Sequence, residues 1–148
     1  MTGDLTKDEI TNVLMSQSLC RIACSDEGKP YLVPVTFAYG GDYVYGQSMP
    51  GTKLNILRKN PNVCVQVDII NSMTNWKSVM LFGKFEELHD KEAENAREQL
   101  YSKIFSLMTG SAVHNFGHEL ESAIDENNRI KSVMYRIKVE KITGRYQK

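Results

Sequence analysis

The sequence predicts a mainly β fold, six antiparallel strands closed into a barrel with α-helices laid on its outside. Three observations carry that expectation. Apolar and polar residues alternate with period two over several segments, as in half-buried strands. Short turns join the early segments, whereas parallel strands need crossovers of about a dozen residues or more. No strand–helix–strand alternation recurs, which leaves a barrel rather than a doubly wound sheet.

The chain of 148 residues has no internal repeat and no low-complexity linker, so residues 1–148 are expected to form one domain. Eighteen Lys and Arg balance eighteen Asp and Glu. A nucleic-acid or anionic-membrane protein would carry a basic excess, so neither partner is expected. No apolar run reaches the ~20 residues of a membrane helix, and Met1-Thr2-Gly3-Asp4 lacks the regions of a signal peptide. The expected location is the cytoplasm. Three cysteines suit that reading. Cys20 and Cys24 share one predicted strand and stand about 13 Å apart at ~3.3 Å per residue. That is beyond disulfide reach.

A short helix comes first. Thr6 and Glu9 form a capping box, Leu5 and Ile10 occupy the two staple positions, and Ile10, Val13 and Leu14 form one apolar face. Leu19 to Ser25 is a strand, residues 26–29 a turn, and Tyr31 to Tyr39 a longer strand. In the latter Tyr31, Val33, Val35, Phe37 and Tyr39 share one face. Gly40-Gly41-Asp42 turns into a third strand, Tyr43 to Gly46. A loop leads to a helix over Thr52 to Lys59, stopped by Asn60-Pro61. Asn62 to Ile69 and Trp76 to Leu88 are the fourth and fifth strands, the latter bent at Gly83. Asp90 caps a helix with the apolar stripe Ala93, Ala96, Leu100, Ile104 and Leu107. Residues 109–130 are irregular, and Ser132 to Ile142 is the last strand, so that the six strands run in meander order.

Chemistry concentrates in Tyr43 to Pro61. A strand runs into a glycine-bracketed loop and then a helix whose start carries Thr52 and Lys53. Free N–H groups and the positive end of the helix dipole favour an anion there. Ser48 and Thr52 add hydroxyls, and Lys53 a charge. The plainer reading is a capping threonine and a solvated lysine. Gly46, Gly51 and Lys53 only imitate a phosphate-binding P-loop, since Thr52 precedes the lysine and the surrounding strands are antiparallel. Trp76 suits either a core or interface anchor or the wall of a planar cofactor. Pro34 lacks an N–H, so its strand is either a plain edge or one that offers backbone groups to a ligand. His89, His114 and His118 match no metal site, and no nucleophile elbow or dinucleotide fingerprint occurs.

These pieces in their order resemble the FMN-binding split-barrel family, the pyridoxamine 5′-phosphate oxidase-like proteins. The motifs are Pro34-Val35-Thr36-Phe37, Tyr45 with Gln47-Ser48, Gly51-Thr52-Lys53-Leu54, Leu57 to Cys64, Trp76-Lys77-Ser78-Val79 with Gly83, and Ile142-Thr143-Gly144-Arg145. The resemblance covers residues 19–88 and the final strand, and is greatest to the nitroimidazole-resistance proteins. It implies that Lys53, with Thr52, Ser48 and Ser78, holds an FMN phosphate. Backbone groups at Val35, Thr36 and Phe37 would line the isoalloxazine, Trp76 would pack close by, and Pro34 and Gln47 would lie in the same site. It implies a homodimer with FMN at the subunit interface. The implied activity is reduction of a small molecule, in the nearest relatives a nitroaromatic or nitroimidazole, by hydride or electron transfer through FMN N5, with NAD(P)H as a donor. A non-catalytic flavin store or sensor is the alternative. Gln47 stands where many nitroimidazole-resistance proteins have histidine, and an amide cannot titrate near neutral pH. Residues 144–148 do not reproduce the arginine-rich ending of the true oxidases, which argues against pyridoxamine phosphate as substrate. Haem and deazaflavin, bound by distant relatives, stay open as cofactors.

Overall fold

The computed structural model describes residues 1–107 and 132–148. Helix α1, Lys7–Ser16, begins where its cap dictates: Thr6 Oγ1 accepts the Glu9 N–H at 3.2 Å, and Glu9 Oε1 accepts the Thr6 N–H at 2.9 Å. Two of the helix's orphan donors are thereby satisfied. Val13 and Leu14 are buried, with Ile10 packed on the same core. Before α1, Thr2–Asp4 form β1. This strand was not expected, because three residues carry no readable period. It exists through pairing with the end of the chain, Gly3 opposite Tyr146.

Strands β2 (Leu19–Asp26) and β3 (Lys29–Thr36) form a hairpin. Its turn has Glu27 at φ 49° and Gly28 at φ 83°. Left-handed backbone at both central positions is the type I′ geometry that matches strand twist. The strand expected over 31–39 is then interrupted at Phe37, and β4 is only Ala38–Tyr39. Next come β5 (Tyr43–Ser48), α2 (Thr52–Lys59), β6 (Asn62–Ser72), β7 (Asn75–Glu87), α3 (Asp90–Leu107) and β8 (Val133–Gln147). Asp90 does not precede α3 but opens it, with φ 53°, a conformation that Asp tolerates better than most residues. His114 and His118 lie outside the described residues.

The described strands thus number eight, not six, and they are not a meander: the sheet order is β3-β2-β6-β7-β8-β5-β4, with β1 added on β8. Residues consecutive in sequence therefore sit at opposite ends of the sheet. Thr36 ends one edge and Ala38 begins the other, with Phe37 alone between them. One residue cannot cross a flat sheet, so the sheet must curl until its edges meet. No ladder joins β3 to β4, and the barrel stays split there. Phe37 anchors the crossing, 1% exposed and with its N–H on the Ser18 carbonyl at 3.0 Å.

Strand β7 changes register between Phe82 and Gly83, the expected bend. A Cβ on Gly83 would collide with the Lys138 carbonyl oxygen. The barrel interior is filled by Ile22, Val65, Val67, Val79, Leu81 and Ile137. A second, smaller core lies beneath α3, where Ala96, Leu100 and Ile104 meet Ala38, Leu88 and Met134. Met134 and Tyr135 are both 1% exposed because the two faces of β8 meet different cores. All three cysteines are free. No helix among the described residues is long and apolar enough to cross a membrane.

Candidate functional site

Strand β5 delivers the chain to the start of α2 through Met49-Pro50-Gly51. The Ser48 side chain is buried at the mouth of this loop, its hydroxyl donating to the Met49 carbonyl at 2.9 Å. Gly51 is the N-cap and makes no side-chain bond. The first helical bond is from the Asn55 N–H to the Gly51 carbonyl at 3.0 Å. The N–H groups of Thr52, Lys53 and Leu54 therefore have no partner within the helix. Thr52 is exposed at the first helical position and does not cap α2. No acidic residue stands in the first turn.

Lys53 is half-buried, its Nζ 5.9 Å from the centre of the Tyr135 ring. Among the described residues no carboxylate forms an ion pair with it. Burial pulls its pKa below the ordinary lysine value, an effect that the nearby Cys20 and Cys24 thiols partly oppose. An ammonium ion taken part-way out of water without a counter-charge is costly. A phosphate at the open N–H groups of α2 would supply that charge, so these residues fit the group that the resemblance implies. On the outer side of the same helix Arg58 is already occupied, 2.7 Å from Glu87.

The other expected residues divide into two places. Val35 and Thr36 end β3, a strand paired on one side only, so its other backbone edge is open. Pro34 is exposed on this edge strand, where its missing N–H costs no ladder bond. Val35 lies opposite Cys20, the thiol that senses Lys53, which links β3 to the start of α2. Phe37, by contrast, is spent on the core. Trp76 and Ser78 are partly buried on β7, among residues of its outward face. There Ser78 Oγ accepts from Gln66 Nε2 at 3.1 Å, and Asp68 Oδ2 accepts from Arg21 at 3.3 Å. Asp68 Oδ1 is buried with no partner. A cavity of about 290 Å³ opens between Gln66, Asp68, Ile70, Trp76, Lys77 and Ser78. Among the described residues no hydrogen bond or ion pair joins Ser78 to Lys53.

Gln47 has a mechanical part. Its Oε1 accepts the Tyr101 hydroxyl at 2.9 Å, and Ser132 Oγ approaches the same oxygen at 3.5 Å. The amide so ties α3 and the approach to β8 to the strand leading into the Lys53 loop. Two residues near the site escaped sequence reasoning, Tyr101 and Lys103, both from α3. Lys103 Nζ sits 4.1 Å from the Phe37 ring centre and donates to the Leu14 carbonyl at 2.8 Å. Its spacing of three from Leu100, beside the apolar stripe, was the available signal. Cys20, near both lysines, is 2% exposed, and burial pushes its thiol up to about 12. It is therefore a core residue and not a nucleophile. Among the described residues no cluster of His, Cys, Asp and Glu could hold a metal ion.

Comparison with known proteins adds a family. The sequence profile described as pyridoxamine 5′-phosphate oxidase matches residues 6–146. The structure is similar over its whole length to a FAD-binding protein of Mesorhizobium loti. The two are 32% identical with a TM-score of 0.79, and the match covers 98% of that chain. It also matches a candidate 5-nitroimidazole antibiotic resistance protein of Bacteroides thetaiotaomicron, with a TM-score of 0.73 and 24% identity. That match covers 99% of this chain and 87% of the other, and at this identity it speaks for the fold alone. An uncharacterised protein of Rhizobium meliloti (strain 1021) is 38% identical over 84 residues. The aligned part is 57% of this chain and spans little more than half, 56%, of that relative's length.

Proposed function

Since the chain belongs to the pyridoxamine 5′-phosphate oxidase family, we propose that it is a flavin-binding protein that takes FMN and reduces a small molecule. The observation that carries this reading is Lys53, a half-buried ammonium without a carboxylate partner among the described residues, at the open N–H groups of α2. In this reading Lys53, Thr52 and Ser48 hold the phosphate, with Ser78 joining them across the assembled site. The open edge of Val35 and Thr36, with neighbouring Pro34, offers backbone groups to the ring, whereas the Phe37 N–H is already held by the Ser18 carbonyl, and Trp76 flanks the ring. Gln47 fixes the strand beneath and supplies no proton. Bound FMN supplies hydride acceptance and release at N5. The protein's share is orientation and charge. Nitroaromatic compounds are the acceptors to try first, with NAD(P)H as donor and a cytoplasmic setting.

The same reading places the flavin between two copies of the chain. The outward face of the sheet supports it. Leu32, Ala23, Cys64 and Phe82 are register neighbours in one row across β3, β2, β6 and β7, and Leu32 is 62% exposed. Ile70, 67% exposed, extends the apolar area beside Trp76. An apolar sheet face of this kind ordinarily meets a partner. A second copy would also bring new donors to the face where Asp68 Oδ1 has none.

The test is the visible spectrum of the purified protein, before and after adding FMN, then with NADPH without oxygen. Flavin bands that bleach support binding and reduction together. Bands that persist support a store or sensor, and a protein that stays colourless overturns the proposal. Lys53→Ala should weaken FMN binding about ten- to a hundred-fold, the worth of one charged hydrogen bond of roughly 1.5–3 kcal/mol. Unchanged affinity in that variant removes the phosphate assignment. A FAD site is the second reading, favoured by the Mesorhizobium loti relative, a FAD-binding protein. Chromatography of the flavin released on denaturation separates the two.

A further inference from the structure

The end of β5 has a ladder partner on one side only. Strand β4 is no longer than Ala38–Tyr39 and pairs with Tyr45 and Val44. Gly46, Gln47 and Ser48 lie beyond its reach and are paired with the start of β8 alone, Tyr135, Met134 and Val133. The loop that follows adds little support of its own. Met49, Pro50 and Gly51 are exposed, Pro50 has no N–H, and Gly51 caps α2 without a side-chain bond. The bonds of Met49 and Gly51 are local, from the Ser48 hydroxyl and the Asn55 N–H. Yet this stretch sets where the open N–H groups of Thr52, Lys53 and Leu54 stand.

Helix α3 supplies the missing support. Leu100 is 0% exposed in the second core, and Tyr101 beside it packs on that same core, so the phenol is carried by a firmly seated helix. Its hydroxyl donates to Gln47 Oε1 at 2.9 Å. Ser132, just before β8, brings a second hydroxyl to within 3.5 Å of the same oxygen. A carbonyl oxygen has two lone pairs and can accept both. The clamp therefore acts on β5 where its other edge is unpaired, one residue before the buried Ser48. We propose that Tyr101 is a positioning residue for the phosphate site, a role that rests on the flavin reading above. Through Gln47 its hydroxyl holds the end of β5, so that the N–H groups opening α2 are in place before the phosphate arrives. A loop that had to be ordered on binding would spend affinity on that ordering. The effect belongs to the phosphate and not to the flavin ring.

The experiment compares FMN with riboflavin, which has the same ring and no phosphate, on the full chain and on Tyr101→Phe. That substitution keeps the packed ring and removes the hydroxyl. FMN affinity should fall about three- to ten-fold, the worth of one hydrogen bond, while riboflavin affinity stays unchanged. Gln47→Leu should reproduce this loss, and the two changes together should cost no more than either alone, as expected of one shared contact. Amide hydrogen exchange at Asn55, whose N–H closes the first turn of α2 on Gly51, should quicken in flavin-free Tyr101→Phe, while exchange in α1 does not change. Equal losses for FMN and riboflavin would mark a general loosening and overturn the proposal, as would an unchanged FMN affinity. If the parent chain binds no FMN, the flavin reading itself fails. Exchange at Asn55 then still judges the clamp, and an unchanged rate overturns it.

Discussion

Lys103, Cys20 and Tyr135 are three ionisable side chains that the fold holds in their neutral or near-neutral range, and together they set the alkaline behaviour of the protein. Burial lowers Lys103 to about 8, so between pH 8 and about 10.4 the unfolded chain binds more protons there than the folded one. That gap makes stability rise with pH. Cys20 acts in the opposite sense. Its folded pKa of about 12 exceeds the unfolded value, so from about pH 8.5 upward the unfolded thiol ionises first and stability falls. Tyr135, also raised by burial, adds to the fall above about pH 10. Thermal melts should therefore show a shallow maximum between pH 8 and 9. Lys103→Met should reduce the rise, to which the lowered Lys53 also contributes, and Cys20→Ala should reduce the fall, to which Cys24 and Cys64 also contribute. A melting temperature that declines steadily from pH 7 in the parent chain would contradict this assignment. Gln47 adds a lesson of the same scale: residue type excludes a titrating role, but only position reveals that its amide receives Tyr101.

At the scale of elements, legibility depended on how local the cause was. The α1 cap is complete within four residues, and the expected box is present. The β2–β3 turn and the bend of β7 were equally readable, because Gly28 and Gly83 answer constraints of their own backbone or their nearest strand. Strand β1 and the break at Phe37 were not, since both depend on pairing across the whole chain. Gly83 offers a direct check. Its missing Cβ leaves room for the Lys138 carbonyl oxygen of β8, so Gly83→Ala forces β7 and β8 apart. The expected cost is about 1–3 kcal/mol, as in other overpacked interiors. Urea denaturation measures it, and an unchanged midpoint would mean that the strands separate freely there.

For the molecule as a whole, the decisive feature is that β3 and β4 end up on opposite edges of one sheet. Curling brings those edges together, and with them the open backbone of β3 and the start of α2, which carries Lys53. The outward face of the same sheet carries the apolar row from Leu32 to Phe82. If two copies meet there around the flavin, Leu32→Lys with Phe82→Lys should give a folded monomer by sedimentation, together with loss of bound flavin. An unchanged assembly in that double variant would move the interface elsewhere.

The sequence by itself determined the class of fold, a helix-flanked antiparallel barrel, and the main candidate for anion binding at Ser48, Thr52 and Lys53. Period-two alternation, short turns, a helix start and a lysine are all written within a few neighbouring residues. Tertiary structure decided the strand order, the part played by Phe37, the contact of Gln47 with Tyr101, and the half-buried states of Lys53 and Lys103. The physical reason is the same for each. Strand pairing and desolvation depend on which distant residues come to lie against a group, and spacing along the chain does not encode that distance.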